Sequence, residues 1–249
     1  MVYRPFKPHE PIAVEPAFDR LIESVGGARV SSIVGSSPAF ANADYVFSDA
    51  KIVVELKELT TDWPRLEDYQ KRISDLWLRC ELAGRLNVRH ASGEQPVPRD
   101  VRREFLHLLR KPIKRVLEKA NRQIKETHAS LKHQSGLGVV LLVIDGLLTV
   151  APRFLMALVS KILAHDYCSI SGVVLITVNE YVDVPGDDYA RLIWWPNYQE
   201  SIPELLVDFV DDLGRAWFNQ LEKDIGGFDV RDEGPDRSWT EGAHFVRRS

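Results

Sequence analysis

DYVFSDAKIVVELKEL, residues 44–59, decides how this chain folds. Val, Ile, Tyr and Phe dominate both halves, as in β-strands, and Ser48-Asp49-Ala50-Lys51 interrupts them as a turn would. A two-residue turn at Asp49-Ala50 sets Ser48 across from Lys51. Counting outward then puts Asp44 directly opposite Glu55. Side chains alternate across a strand, so Asp44, Val46, Val53, Glu55 and Lys57 share one face. Tyr45, Phe47, Ile52, Val54 and Leu56 share the other, which is apolar throughout. The first face turns charged at one end.

Two carboxylates facing each other across a ladder repel by roughly a few tenths of a kcal/mol. A divalent cation between them reverses that sign, and Mg2+ takes carboxylate oxygens while keeping several waters. Lys57 points to the same place, where an ammonium can steady a phosphate oxyanion or orient a water. A lone Glu-x-Lys at a strand end is commonplace. The upstream acid at hairpin distance makes this one a candidate site.

Outward from the hairpin, EPAFDRLIESVGG (residues 15–27) has helical spacing at Phe18, Leu21, Ile22 and Val25 and stops at Gly26-Gly27. ARVSSIVGSS (28–37) alternates weakly and predicts a strand. PRLEDYQKRISDLWLRCELAGRLN (64–87) predicts an amphipathic helix, and a long helical region over roughly 100–134 is expected to kink or divide at Pro112. LGVVLLVID (137–145) and SGVVLITVNE (171–180) are continuous apolar runs, the mark of strands buried on both faces, and the helix between them predicts parallel pairing. The reading is an α/β fold with a mixed central β-sheet flanked by helices. Residues 1–12 are expected as an extended N-terminal arm, 13–195 as one α/β domain with a helical insert at about 62–98, and 196–249 as a C-terminal helix and polar tail.

The 249 residues are 45% hydrophobic and 27% charged, ordinary values for a globular chain, with a formal net charge of -4. Any nucleic-acid contact must therefore come from a local basic patch. Cys80 and Cys168 have neither zinc spacing nor a disulfide framework, so a reducing, cytoplasmic location is expected. No segment reads as a signal peptide or a membrane span.

Asp44, followed by Val53-Val54-Glu55-Leu56-Lys57, resembles the core motif of the PD-(D/E)XK, or restriction-endonuclease-like, nuclease superfamily. The element order read above resembles that family's core, αβββαβαβ, over roughly residues 13–180. The resemblance implies Mg2+- or Mn2+-dependent hydrolysis of nucleic-acid phosphodiesters, DNA more than RNA. It implies Asp44 and Glu55 as metal ligands with the Leu56 carbonyl, and Lys57 as the catalytic lysine. It also implies a glutamate on the first helix, for which Glu15 and Glu23 are the candidates and Glu15 is preferred. Gln123 is the best match for a further active-site residue on the helix after the motif, and Lys125 the lesser one. Asn42-Ala43 stand where the motif's name has proline.

Between Arg99 and Gln134 lie eleven basic and four acidic side chains, a local excess in an acidic chain. Phosphate binding requires such a patch, because neutralised phosphates release counterions. Arg115, Lys119, Arg122 and Lys125 are its expected nucleic-acid contacts. The alternative is a nuclease-like fold kept as a nucleic-acid-binding or assembly module without catalysis. A homodimer or a protein partner is left open, the latter through PELLVDFVDDLGRAWFNQLEKD (203–224).

Overall fold

The apolar runs become the middle of one wide sheet. The computed structural model describes residues 1–5, 7–35, 40–133, 135–234 and 236–247, without the side chains of residues 91 and 166. In chain order the elements are β1 (Val2–Pro5), α1 (Val14–Ser24), β2 (Ala28–Arg29), α2 (Val30–Val34), β3 (Tyr45–Phe47) and β4 (Ile52–Leu59). A 3-10 turn (Trp63–Arg65), α3 (Glu67–Leu82), α4 (Val88–Ala91), α5 (Arg99–Ser130), β5 (Leu137–Ile144), α6 (Pro152–Asp166) and β6 (Gly172–Thr177) follow. The chain then forms β7 (Tyr181–Asp183), β8 (Leu192–Tyr198), α7 (Glu204–Ile225), β9 (Phe228–Asp232) and β10 (His244–Val246).

Sheet order is β2-β3-β4-β5-β6-β8-β1-β9, and β7 pairs with β10 in a separate ribbon. The β4–β5 and β5–β6 pairs are parallel, and the other pairs of the large sheet are antiparallel. The parallel strands carry long apolar runs because helices cover both of their faces. On one face α1 and α7 pack through Phe18, Leu21, Trp217 and Phe218, with the rings of Phe18 and Trp217 stacked 4.5 Å apart. On the other, α5 and α6 pack through Ile113, Leu117, Ile124, Leu155 and Val159. The turn after β5 closes tightly onto the end of β4. Gly146 has φ 146°, and a Cβ there would stand 2.3 Å from the Thr60 carbonyl oxygen.

Four expectations need correction. Residues 2–5 are not an arm: β1 lies inside the sheet between β8 and β9, with Tyr3 stacked on Phe218 at 3.7 Å. A short N-terminal segment carries no periodic signal long enough to reveal such a pairing. The region from 196 onward is likewise no appendage. A boundary at 195/196 would cut β8, α7 turns its apolar stripe onto the sheet, β9 is the sheet's edge strand, and Trp239 is buried. The strand expected over 28–37 shrinks to the two residues of β2 before α2 begins, and positions 36 and 37 lie outside the described residues. Finally, Pro112 does not divide α5, which is a single 32-residue helix that runs through it. Proline withholds one backbone donor, and here its ring faces a cleft rather than the sheet.

Because Tyr3 is buried in β1, Tyr3→Ala should lower the unfolding free energy by about 3 kcal/mol in urea denaturation. A free arm would lose almost nothing.

Candidate functional site

The β3–β4 turn is as tight as the spacing predicts. Lys51 donates its N–H to the Ser48 carbonyl at 3.2 Å and takes a left-handed φ of 52°. Phe47 pairs with Ile52, Val46 with Val53 and Tyr45 with Val54. One step further along this register sets Asp44 opposite Glu55. Val46 and Val53 belong to the core beneath α5, so Asp44, Glu55 and Lys57 lie on the α5 face. Tyr45, Ile52, Val54 and Leu56 belong to the opposite core.

The three charged side chains are knitted together. Asp44 donates its backbone N–H to Glu55 Oε2 at 3.1 Å, and Leu56 donates its N–H to Asp44 Oδ2 at 2.8 Å. Lys57 Nζ pairs with Glu55 Oε1. Glu55 is fully buried, while the Lys57 side chain keeps 17% of its surface exposed. Burial, and then the Asp44 charge, push the Glu55 carboxyl up to about 8 despite Lys57 beside it. Burial also raises Asp44, against the opposing pull of the Leu56 N–H and of Lys57. The N–H and C=O of one strand residue point to the same side. The Leu56 carbonyl therefore faces the Asp44 edge, where β3 has already ended.

Glu15 stands apart from this cluster. It begins α1 on the other side of the sheet, is 60% exposed, and binds Arg29 at 2.7 Å, a guanidinium shared with Asp19. Its charge still helps to raise both Asp44 and Glu58. Glu23 sits two helical turns away, about 12 Å along the axis, at the far end of α1. Gln123 does not reach either carboxylate: its Nε2 donates to the Asn42 carbonyl at 2.9 Å. It is one of three clamps from α5 on the segment leading into Asp44. The Ala43 N–H donates to Thr127 Oγ1 at 2.8 Å and the Ala41 N–H to Glu126 Oε2 at 2.7 Å. Thr127 and Glu126 carried no signal in the sequence, since neither type is unusual in a helix.

Arg115, Lys119, Arg122 and Lys125 are exposed and line one open groove of about 680 Å3 along α5. None of the four is held in an ion pair by a described carboxylate, unlike Arg79, Arg85 and Arg29 elsewhere. At 100° per residue Gln123 sits on one flank of α5, Arg115, Lys119 and Arg122 point away from the sheet, and Lys125 turns toward the other flank.

The donor set fits a hard divalent cation in part. Two raised carboxylates face each other, close enough for a hydrogen bond between them to hold Asp44 down in part. Among the described residues, however, no three His, Cys, Asp or Glu side chains form one metal-holding group, and Lys57 takes a Glu55 oxygen. Nor is any described helix long and apolar enough to cross a membrane.

The raised Glu55 carboxyl sets a pH dependence. In the unfolded chain it loses its proton near 4.5, whereas in the folded chain it keeps it to about 8. Metal-free stability therefore falls as pH rises through that window. Glu55→Gln should flatten the fall in thermal melts, and a slope equal to wild type would contradict it. Mg2+ or Mn2+ at about ten times its Kd should raise Tm by about 3 °C at pH 8 and much less at pH 5, with the gain lost in Asp44→Asn.

No family model, no curated protein and no solved structure matches this chain.

Proposed function

We propose that this chain is a metal-dependent phosphodiesterase that hydrolyses nucleic acid, DNA more than RNA, with a restriction-endonuclease-like core. The observation that carries the reading is the convergence of Asp44, Glu55 and Lys57 on one face at a strand end, beneath a helix bearing unpaired cations. The order α1, β2, β3, β4, then α5, β5, α6, β6, with the pairing β2-β3-β4-β5-β6, agrees with the core that the motif's resemblance implies.

Asp44, Glu55 and the Leu56 carbonyl would hold Mg2+ or Mn2+, and Glu15 would join them by exchanging its bond to Arg29. Such an ion supplies positive charge to a phosphoryl group and lowers the pKa of a water. Lys57 has three N–H donors, and at the partly open edge of the site it would hydrogen-bond a phosphate oxygen. Gln123, Glu126 and Thr127 hold the segment that presents Asp44 and act by positioning. Arg115, Lys119, Arg122 and Lys125 bind flanking phosphates without reading sequence.

The Lys57–Glu55 pair, which fills the site, favours one alternative: a fold of this type that binds nucleic acid without cutting it. The two readings part in one assay of linear, circular, single-stranded and branched DNA, and RNA, with Mg2+ or Mn2+. The enzyme reading expects cleavage that falls at least about 1,000-fold in Lys57→Ala and Asp44→Ala, with unchanged circular dichroism. Cleavage of nothing by the wild-type chain, or equal cleavage by Lys57→Ala, removes it. For binding, Lys119→Ala with Arg122→Ala should lower the slope of log K against log salt by about 2.

A further inference from the structure

Beside the candidate site lies a cleft of about 440 Å3, bounded by the end of β4, the insert that carries α3, and the first half of α5. Leu59 lines it, on the same face of β4 as Lys57 and two residues on, about 7 Å along the strand. The cleft therefore opens one side-chain row beyond the candidate scissile phosphate.

Its wall holds a buried polar pair, the Trp63 indole N–H beside the Tyr69 hydroxyl. Trp63 is 7% exposed and Tyr69 8%. Both are shielded from solvent; the indole N–H is turned toward the Tyr69 oxygen, and the Tyr69 O–H is left without an acceptor. Burial pushes the Tyr69 phenol up to about 12, so it stays a neutral O–H donor. Leaving such groups unsatisfied is costly, and a ligand carrying acceptors relieves that cost. The rings themselves are covered, so a planar ligand meets them by its polar edge, not by stacking. At the mouth, Leu66 is 51% exposed and offers an apolar surface. Arg72, Lys111 and Arg115 stand around the rim, and no described carboxylate holds any of them in an ion pair. Glu58 and Asp68 face the same cleft, and Thr60 and Thr61 add hydroxyls, so groups that can accept from an exocyclic amine are present too.

An apolar lip, a hydroxyl in the wall that lacks an acceptor and cations at the rim match the parts of one nucleotide: sugar and base surface, base acceptor, and phosphate. We infer that this cleft receives the base of an unpaired nucleotide next to the scissile phosphate, which makes single-stranded or frayed nucleic acid the substrate class. The inference rests on the nuclease reading above. A base paired within a duplex has its acceptors engaged and cannot enter.

The test uses the full chain carrying Lys57→Ala, so that binding is measured without turnover. Fluorescence anisotropy compares a labelled short oligothymidylate, the same strand in a complete duplex, and an abasic strand of equal length. The oligothymidylate should bind about tenfold tighter than either of the others. Tyr69→Phe, which keeps the ring, should weaken single-strand binding about fivefold and leave duplex binding alone. Leu66→Glu, at an exposed position, should act in the same direction. Equal binding of single strand and duplex, equal binding of the abasic strand, or no effect of both substitutions overturns the inference. Cleavage assays of the chain with Lys57 intact separate the two claims. Cutting of duplex but not of single strands overturns the cleft assignment and leaves the nuclease reading standing. Tyr69-dependent single-strand binding with no cleavage under Mg2+ or Mn2+ supports the cleft and removes the nuclease reading.

Discussion

The structure depends on one constraint: two carboxylates held face to face where neither is comfortable. Asp44 and Glu55 cannot move apart, because a two-residue turn fixes the register of their strands and apolar neighbours fix which way each side chain points. Slipping by one residue would push Val46 and Val53 out of one core and Tyr45, Ile52 and Val54 out of the other. The hydrophobic energy of the hairpin thus holds an electrostatically unfavourable pair in place. Lys57 offsets part of that repulsion, and a retained proton on Glu55 offsets more. A site with that balance gains most from added positive charge, which a fully solvated pair would not.

The rest of the fold serves this arrangement by closing around it. β4 is paired with β5 over its whole length, and Gly146 lets the following turn press onto the strand's end. On the α5 face three side chains grip consecutive parts of the segment before Asp44, so the acid is presented by a fixed backbone, not a loose loop. Glu126, one of those three side chains, also lines the groove of exposed cations on the same helix. One element therefore couples the geometry of the carboxylates to the surface where phosphates would lie.

The hairpin was legible because every fact it needs is local: a two-residue turn, alternation, and apolar residues on both sides of it. The buried strands β5 and β6 were legible from composition alone, since helices on both faces demand continuous apolar runs. What escaped was non-local. β1 is four residues long, and nothing in VYRP announces that it will sit between strands that begin near positions 192 and 228. Glu15 lies on α1, and its engagement by Arg29 depends on how α1 crosses β2. Gln123 lies on α5, and its partner is the Asn42 carbonyl, which no side-chain pattern encodes. Trp63 and Tyr69 are buried. That they line a cleft follows only from how α3 lies against α5.

The central claim is that Asp44 and Glu55 form a cation site, and anomalous diffraction from crystals grown with Mn2+ addresses it most directly. The account predicts one strong peak within bonding distance of a carboxylate oxygen of each residue and of the Leu56 carbonyl, with the Lys57 ammonium moved off Glu55. A map with no peak there, and with the Lys57–Glu55 pair intact at saturating Mn2+, would contradict it.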